Sequence, residues 1–382
     1  MLSVSKLLSD SPLKEKQTES ARYCRAQSPV IVWNITKSCA LHCVHCYNNS
    51  EEKIYPGELS TEECLRVIHH LSEFKVPAII FSGGDPLQRP DIFTLMACAK
   101  DKGIRPILST SGISIAKETA RRIKKSGVAY VGISLDGGET INDRLRGMKG
   151  AFQKALDALK FCRDIGLVTG VRFTMSKKTI AELPAIFELI EKENIPRGYF
   201  AHLVYSGRGE RFSREDLTKE ETRKAIDYIF DRSEEFIKKG LKKDIVTGSN
   251  DADGVYLYLR LKKCNPAKAQ LVFGLLLGRG GNSSGVSLGN IDNLGSVHAD
   301  QFWQQYSFGN VKDKPFGKIW SDTSNTLMKA LKHRKGLING RCSKCKYFDI
   351  CGGSYRVRAE FSTGDKWAED PACYLTDEEL EL

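Results

Sequence analysis

Three cysteines near the start of the chain have the spacing of a metal-binding loop. Cys39, Cys43 and Cys46 lie four and then three residues apart. One short loop can therefore direct three thiolates toward a single point, as a metal or an iron–sulfur cluster requires. A structural site normally closes all four ligand positions. Three ligands thus indicate a fourth position that is open to a substrate or a cofactor.

The elements that must position these cysteines are predicted from hydrophobic periodicity. The predicted strands are Val30–Ile35, Ala78–Phe81, Arg105–Ser109, Tyr130–Ser134, Gly170–Met175 and Tyr199–Val204. The predicted helices are Thr61–Phe74, Asp91–Lys102, Lys117–Ser126, Ala151–Ile165, Thr179–Glu193 and Lys219–Lys239. Six strand–helix repeats predict an α/β fold, a partial (β/α)6 TIM-like barrel whose active face lies at the carboxyl ends of its strands. The cysteine loop, residues 36–50, follows the first strand and should lie on that face.

We expect three regions along the chain. Residues 1–28 are polar and form either a loosely packed lead-in or a cover for the bottom of the barrel. Residues 29–245 form the barrel. Residues 246–382 form a small cysteine-rich C-terminal domain, because glycine and asparagine become frequent after Asp244 and the strands look short. A segment with so little apolar surface is usually stabilised by something besides a hydrophobic core.

The composition of the 382 residues is that of a soluble globular protein, with 41% hydrophobic and 27% charged residues. No apolar run approaches the roughly 20 residues that span a bilayer, and the N-terminus lacks a signal-peptide pattern. We therefore expect a cytoplasmic protein without a membrane partner. The net charge of +11 would suit nucleic acid or a polyanionic small substrate. Because most basic residues are interleaved with acidic ones, we expect a solvated basic surface and no nucleic-acid partner.

The twelve cysteines indicate metal rather than disulfides, since clustered cysteines in a cytosolic enzyme are typical of metal sites. A second group stands in the C-terminal tail: Cys342, Cys345, Cys351 and Cys373. Four thiolates close a tetrahedral site, so zinc and an iron–sulfur cluster are both open alternatives there. The scattered cysteines are expected to be small buried hydrophobic residues: Cys24, Cys64, Cys98, Cys162 and Cys264.

Glycines, hydroxyls and carboxylates follow three further strands on the same predicted rim. They occur in Ser82–Pro86, Ser109–Gly112 and Ser134–Gly137. Glycine lets backbone groups approach a ligand closely, and the polar side chains supply hydrogen bonds. One such segment alone is only a turn, but several on one rim with the cysteine loop indicate a cofactor site.

With Tyr47 directly after Cys46, this order of motifs resembles the radical S-adenosylmethionine (SAM) enzymes. The resemblance implies that the three thiolates hold a four-iron four-sulfur cluster, and that SAM is cleaved to a 5′-deoxyadenosyl radical. It also implies a set of cofactor-binding residues: Tyr47, Gly83, Gly84, Asp85, Ser109, Ser134, Asp136 and Arg172. Asp85 replaces the family's glutamate, so either its carboxylate or nearby backbone carbonyls would reach the SAM amine. A zinc site completed by His42 or His45 is the alternative, but it leaves the rim motifs unexplained.

The C-terminal cysteines resemble the SPASM extension of radical SAM enzymes, which implies a second, auxiliary four-iron four-sulfur cluster. A narrower resemblance, to the enzymes that modify side chains of siroheme-derived tetrapyrroles, rests on five segments: Tyr205–Gly209, Asn282–Gly285, Val297–Trp303, Phe308–Val311 and Asp370–Glu379. It implies a small-molecule tetrapyrrole substrate, a role in heme biosynthesis and an electron donor such as ferredoxin or flavodoxin.

The expected reaction removes acetate side chains from 12,18-didecarboxysiroheme to give iron-coproporphyrin III. Alternatives are the d-type heme reaction on propionates, a peptide-modifying SPASM enzyme, and a non-enzymatic zinc or nucleic-acid-binding protein. Candidates for binding substrate carboxylates, unless they form surface salt bridges, are Arg144, Arg146, Arg208 and Arg260. His298 and Asp300 are the catalytic candidates, as a proton donor or a contact to iron, unless they only form hydrogen bonds within the fold.

Overall fold

The computed structural model describes residues 1–9 and 28–382, and a ten-stranded sheet organises them. The strands are β1 (Leu2–Ser3), β2 (Val30–Thr36), β3 (Ala78–Gly83), β4 (Arg105–Thr110), β5 (Tyr130–Ser134), β6 (Thr169–Met175), β7 (Arg197–His202), β8 (Asp244–Gly248), β9 (Leu288–Ile291) and β10 (Val297–His298). Their spatial order is β1-β8-β7-β6-β5-β4-β3-β2-β9-β10. Strands β2 to β8 pair with one another in parallel, whereas β1 is antiparallel to β8. The sheet is open, which confirms the predicted partial barrel.

Helices connect the strands and form the C-terminal part. They are α1 (Val4–Leu8), α2 (Thr61–Glu73), α3 (Ile92–Asp101), α4 (Lys117–Lys125), α5 (Glu139–Arg146), α6 (Ala151–Asp164), α7 (Leu183–Lys192), α8 (Lys219–Lys238), α9 (Ala252–Cys264), α10 (Pro266–Arg279), α11 (Phe316–Trp320), α12 (Thr326–Lys332), α13 (Phe348–Cys351), α14 (Arg356–Thr363) and α15 (Asp377–Leu380). Helices α2 and α8 each begin with a capping box, in which a Ser or Thr and a Glu satisfy free backbone N–H groups. Throughout the described ranges, each helix is too short or too polar to span a lipid bilayer.

The six predicted strands and six predicted helices are present, with ends shifted by a few residues. The sheet is larger than predicted, because β8 adds a further parallel strand that crosses residue 245. Strand β9, which follows residue 245 in the chain, pairs in parallel with β2. The region assigned to a C-terminal domain therefore contributes strands to the barrel sheet, and the domain division stays a prediction.

Helices α9 and α10 were not predicted, because short strands were expected after Asp244. The first turns of α9 are buried on all sides, from Ala252 to Leu257, so the sequence there lacks the alternation of an amphipathic helix. Pro266 begins α10 in the first helical position, where the missing N–H costs no hydrogen bond. The Asn265 side chain accepts from the Lys268 backbone N–H and caps the same helix.

The described part of the N-terminal region is packed rather than loose. Strand β1 pairs with β8, and the hydroxyl of Ser3 donates to Asp244 at 2.6 Å. Leu2 and Val4 are buried. These residues cover the β8 edge of the sheet. The remainder of the predicted lead-in, residues 10–27 with Cys24, lies outside the described residues.

The scattered cysteines are not all buried. Cys64 and Cys162 are buried in the core, as predicted, and Cys98 is half-buried. Cys264 is exposed, so the prediction is wrong for this residue. It is the last residue of α9, where the chain turns at the surface into α10.

Candidate active site

A cavity of about 1000 Å³ occupies the interior of the barrel, at the upper end of the range for ligand sites. The structure places most of the predicted cofactor and metal residues of the barrel on its wall: Cys39, Cys43, Cys46, Tyr47, Gly83, Gly84, Ser109, Ser134 and Arg172. Asp85 and Asp136 are behind this wall. The cavity thus joins the cysteine loop to the carboxyl ends of strands β3 to β6.

The cysteine loop is held from the far side of the barrel by Arg208. Its Nε donates to the Cys43 carbonyl at 2.8 Å, and its Nη2 donates to the Ser50 carbonyl at 3.0 Å. The Arg208 backbone N–H donates to the Cys46 carbonyl at 2.9 Å. This guanidinium therefore positions the cysteine loop. Its predicted use as a contact to substrate carboxylates is not supported, since it does not line the cavity.

Burial raises the pKa of two thiols in the cysteine loop. Desolvation, together with the charge of Asp85, raises the pKa of Cys39 to about 12. Burial also raises the pKa of Cys43, although the neighbouring Arg146 lowers it in part. Metal ligation requires the thiolate, so metal binding here must release protons.

The glycine pair after β3 lies directly against the cysteine loop. A Cβ on Gly83, whose φ is +128°, would lie 2.2 Å from the Thr36 carbonyl oxygen, and a Cβ on Gly84 would lie 2.1 Å from that of Ser38. The backbone N–H groups of Gly84 and Asp85 donate to these same carbonyls at 2.8 and 2.9 Å. Only glycine permits this approach, which fixes the rim motif and the cysteine loop to each other.

Asp85 uses its carboxylate to join two strand ends. It accepts hydrogen bonds from the Thr110 hydroxyl, the Ser111 backbone N–H at 3.0 Å, the Ser111 hydroxyl and the Leu87 backbone N–H at 3.1 Å. It is almost fully buried. With its acceptor sites occupied and no share in the cavity wall, Asp85 is a positioning residue. The geometry favours backbone groups of Gly83 and Gly84 for contact with a cofactor.

Two polar side chains are held at the cavity wall by neighbouring strands. Tyr47 donates to Asn34 at 2.9 Å and lies 3.0 Å from the Ser82 hydroxyl, and burial raises the pKa of Tyr47 to about 12. Arg172 donates to the Ser109 hydroxyl at 2.7 Å. The cavity therefore presents a neutral phenol and a fixed positive charge.

A buried ion pair stands next to one of the cysteines. Asp136 is paired with Arg146 and His45, and it accepts from the Thr174 backbone N–H at 2.9 Å. Burial alone would raise the pKa of Asp136, but the Arg146 guanidinium, the contact with His45 and the Thr174 N–H outweigh it and lower the pKa to about 2. Nη1 of Arg146 lies 3.7 Å from Sγ of Cys43. Arg146 was predicted to contact the substrate, but its positive charge lies beside the thiol of Cys43, a predicted cluster ligand.

The other two predicted arginines lie away from the cavity. Arg144 is exposed on α5. Arg260 pairs with acidic residues of α8, so the surface salt-bridge alternative is confirmed for it. Sequence reasoning did not identify three further arginines that line the cavity: Arg105, Arg197 and Arg279. Arg105 and Arg197 begin strands β4 and β7, at the strand ends opposite to the rim, so the rim motifs do not identify them.

The two catalytic candidates have structural hydrogen bonds. Nδ1 of His298 lies 2.7 Å from the Tyr306 carbonyl oxygen, and its Nε2 lies 3.3 Å from Asp292. Asp300 accepts from the Ser284 hydroxyl and from the backbone N–H of Phe302 at 2.8 Å. Both side chains are buried, and neither lines the cavity. These contacts favour the alternative in which they only maintain the fold.

The C-terminal cysteines surround a second, smaller pocket. Its wall contains all four of them, together with residues from the start of α9: Cys342, Cys345, Cys351 and Cys373. Burial raises the pKa of Cys351 well above its usual value. Among residues 1–9 and 28–382, no three His, Cys, Asp or Glu side chains are grouped as a single metal ion would need.

A buried ion pair attaches this pocket to the barrel. Arg358 donates to both carboxylate oxygens of Asp370, at 2.9 and 2.7 Å, and to the Leu203 carbonyl at 2.9 Å. Both side chains are fully buried. Because Asp370 lies three residues before Cys373 and Leu203 directly follows β7, the pair fixes the C-terminal pocket relative to the rim of the cavity.

Comparison with known proteins agrees with this geometry. The radical SAM superfamily model matches residues 33–190. Fe-coproporphyrin III synthase of Methanosarcina barkeri is 48% identical over 96% of this chain and 93% of its own, and pre-heme d1 synthase of Dinoroseobacter shibae is 41% identical over 91% and 86%. The structure of anSMEcpe with bound AdoMet has the same fold, with a TM-score of 0.71, 19% identity and coverage of 92% of this chain and 96% of that chain. The chain belongs to the radical SAM superfamily, whose members bind SAM and a four-iron four-sulfur cluster.

Proposed function

We propose that this enzyme removes acetate side chains from 12,18-didecarboxysiroheme and thereby forms iron-coproporphyrin III. The observation that carries the proposal is the 48% identity with Fe-coproporphyrin III synthase, because it extends over 96% of the chain. A match of this length extends over the barrel and most of the C-terminal region. A cavity of about 1000 Å³ suits a macrocycle better than a small metabolite.

The cysteine loop is the proposed site of the first cluster, with Cys39, Cys43 and Cys46 as ligands. When bound, the cluster and SAM supply a 5′-deoxyadenosyl radical that abstracts hydrogen from the substrate. Gly83 and Gly84 leave room for a cofactor beside the loop, and the remaining predicted SAM contacts on the wall are Tyr47, Ser109, Ser134 and Arg172. Asp136 and Asp85 support this wall from behind. The barrel's own contribution is to orient the reactants and to exclude water from them.

The C-terminal pocket is the proposed site of an auxiliary four-iron four-sulfur cluster, with Cys342, Cys345, Cys351 and Cys373 as ligands. The four cysteines line one pocket, which supports a shared metal site rather than four separate free thiols. We also propose a small electron-transfer protein, ferredoxin or flavodoxin, as the electron donor. Anaerobic reconstitution tests the cluster count, because two clusters require about eight irons per chain and one requires about four.

Substrate carboxylates would meet the basic residues of the cavity. Arg279 is the best placed of these, since its Nη2 is held by Asp251 at 2.8 Å and it lies on the cavity wall. A guanidinium can form two parallel hydrogen bonds to a carboxylate, which orients the macrocycle as well as binding it.

Product mass tests the proposed reaction. Reconstituted enzyme is incubated anaerobically with didecarboxysiroheme, SAM and a strong reductant, and Cys43→Ala enzyme serves as the control. Loss of the mass of two acetate groups is expected. The second candidate is the d-type heme reaction, which the 41% identity with pre-heme d1 synthase favours. Loss of propionate mass would establish that reaction instead, and an unchanged macrocycle would refute the deacetylase proposal.

A further inference from the structure

Three glycines on the inner face of the barrel sheet send no side chain into the cavity. They lie on β5, β6 and β8: Gly132, Gly170 and Gly248. Residues paired in register across parallel strands point to the same face of the sheet. Each glycine is paired with a residue that lines the cavity, respectively Ser109, Arg197 and Ala201. The glycines themselves are not part of the cavity wall, so other side chains must cover them.

Two of these glycines are covered by tyrosine rings from neighbouring strands. A Cβ on Gly248 would lie 2.3 Å from the hydroxyl oxygen and 2.6 Å from a ring carbon of Tyr199 on β7. A Cβ on Gly170 would lie 2.3 Å from the hydroxyl oxygen of Tyr130 on β5. Such distances are far below van der Waals contact in a packed protein interior. Glycine at these positions therefore allows both phenol rings to lie against the sheet.

Two arginines complete this lining. Cδ of Arg172 lies 2.9 Å from the place that a Cβ on Gly132 would take. The guanidinium carbon of Arg172 is 5.2 Å from the centroid of the Tyr199 ring, and that of Arg197 is 5.2 Å from the centroid of the Tyr130 ring. A guanidinium within about 6 Å of an aromatic centroid is attracted to the ring. The tyrosine and arginine side chains of β5 to β7 thus hold one another close to the sheet.

This lining keeps the barrel hollow. In a closed (β/α)8 barrel, inward side chains from the strands stack in layers and fill the interior. Here the largest inward side chains of β5 to β7 lie along the sheet, and a cavity of about 1000 Å³ remains open beside them. Aromatic rings and fixed positive charges on one wall suit a planar molecule that carries several carboxylates.

We propose that Gly248 is a specificity-determining residue, because it lets the Tyr199 ring lie against β8 and so keeps the cavity wide enough for a planar macrocycle. This inference rests on the proposed function, since the macrocycle is the proposed substrate. Tyr199 lines the cavity and Gly248 does not, so the ring lies between the glycine and the open space. A methyl group at position 248 would push the ring into the cavity. The backbone there would accept alanine, since Gly248 does not have a positive φ.

The test measures macrocycle binding. Reconstituted wild-type enzyme, Gly248→Ala, Tyr199→Ala and the double variant are titrated anaerobically with iron-coproporphyrin III, and the Soret band reports the dissociation constant. Gly248→Ala should bind at least about tenfold more weakly than wild type. In the Tyr199→Ala background, the same glycine substitution should change the dissociation constant less than about twofold, because no ring remains to be displaced. The control Gly274→Ala, whose Cβ would meet no atom within 4 Å, should match wild type.

A second site keeps the test decisive if Gly248→Ala enzyme does not fold. Ala201 lines the cavity and is paired with Gly248, so Ala201→Leu adds bulk to the same space from β7. This variant should also bind the macrocycle at least about tenfold more weakly than wild type.

The inference is overturned if Gly248→Ala or Ala201→Leu binds the macrocycle as tightly as wild type. It is also overturned if Gly248→Ala weakens binding by the same factor with and without the Tyr199 ring, since the effect would then come from β8 itself. In each of these cases, wild-type binding of the macrocycle and the loss of acetate mass would still support the proposed function. If wild-type enzyme does not bind the macrocycle, the proposed function fails and this inference fails with it.

Discussion

Asp85→Asn enzyme should be less stable than wild type while retaining its affinity for SAM. The substitution keeps the shape of the side chain but replaces one acceptor oxygen with a donor NH2 group. The oxygen nearer Ser111 accepts from the backbone N–H of that residue at 3.0 Å, and the other accepts from the Leu87 N–H at 3.1 Å. The hydroxyls of Thr110 and Ser111 can rotate to accept from the new amide, but a backbone N–H cannot.

The expected loss of stability follows from the number of backbone N–H groups that are left without an acceptor. Whichever way the asparagine amide turns, one backbone N–H loses its acceptor in a site where Asp85 itself is almost fully buried. An unpaired donor of this kind costs about 1–3 kcal/mol. We expect the free energy of unfolding to fall by about 2 kcal/mol, roughly a thirtyfold change in the folding equilibrium.

The assay compares urea unfolding midpoints of reconstituted enzymes under anaerobic conditions, together with KM for SAM in the cleavage reaction. The matched control is Asp101→Asn, an exposed aspartate at the end of α3, which should leave both quantities unchanged. For Asp85→Asn the midpoint should decrease and KM for SAM should rise less than threefold. An unchanged midpoint with a tenfold rise in KM would refute this reasoning, since it would mean that the carboxylate contacts SAM directly.

Four other substitutions and one control variant test the rest of the site. Gly84→Ala should lower iron incorporation and SAM cleavage at least about tenfold, because its Cβ would lie 2.1 Å from a carbonyl oxygen of the cysteine loop. The control is Gly274→Ala, which should behave as wild type because its Cβ would meet no atom within 4 Å. Cys43→Ala should abolish SAM cleavage, whereas Cys345→Ala should retain uncoupled SAM cleavage with about half the iron. An equal loss of SAM cleavage in both variants would indicate that the second cluster is mainly structural. Arg358→Met should cost about 3–5 kcal/mol in urea unfolding because it leaves a buried carboxylate unpaired; a smaller loss would mean that water reaches that site.

The barrel and its reactive rim could be predicted from the sequence because both depend on local patterns. Strand and helix periodicity is a property of short windows, and the three cysteines with the rim glycines lie within a few residues of strand ends. Strand β5 was predicted with its exact bounds, and β4 ended within a residue of its prediction. Helix α9 was missed because burial on several sides of its first turns removes the periodic signal. Helix α10 was missed although it buries one face, at Ala269, Val272 and Leu276.

The roles of individual polar residues depended on partners far away in the chain. Arg146 and Arg208 were predicted to bind substrate, but one contacts Cys43 and the other holds the cysteine loop across 165 residues. His298 was predicted to be catalytic, but it contacts Tyr306 and Asp292 and does not line the cavity.

The sequence by itself determined the fold class, the two cysteine groups and the order of the rim motifs, since each depends on local spacing. Only the tertiary structure decided which side chains face the cavity and which support it from behind. The physical reason is that a charged or polar side chain satisfies its hydrogen bonds with whatever the fold brings near. Asp85 illustrates this: its position was evident from the motif, but its bonds to the end of β4 were not.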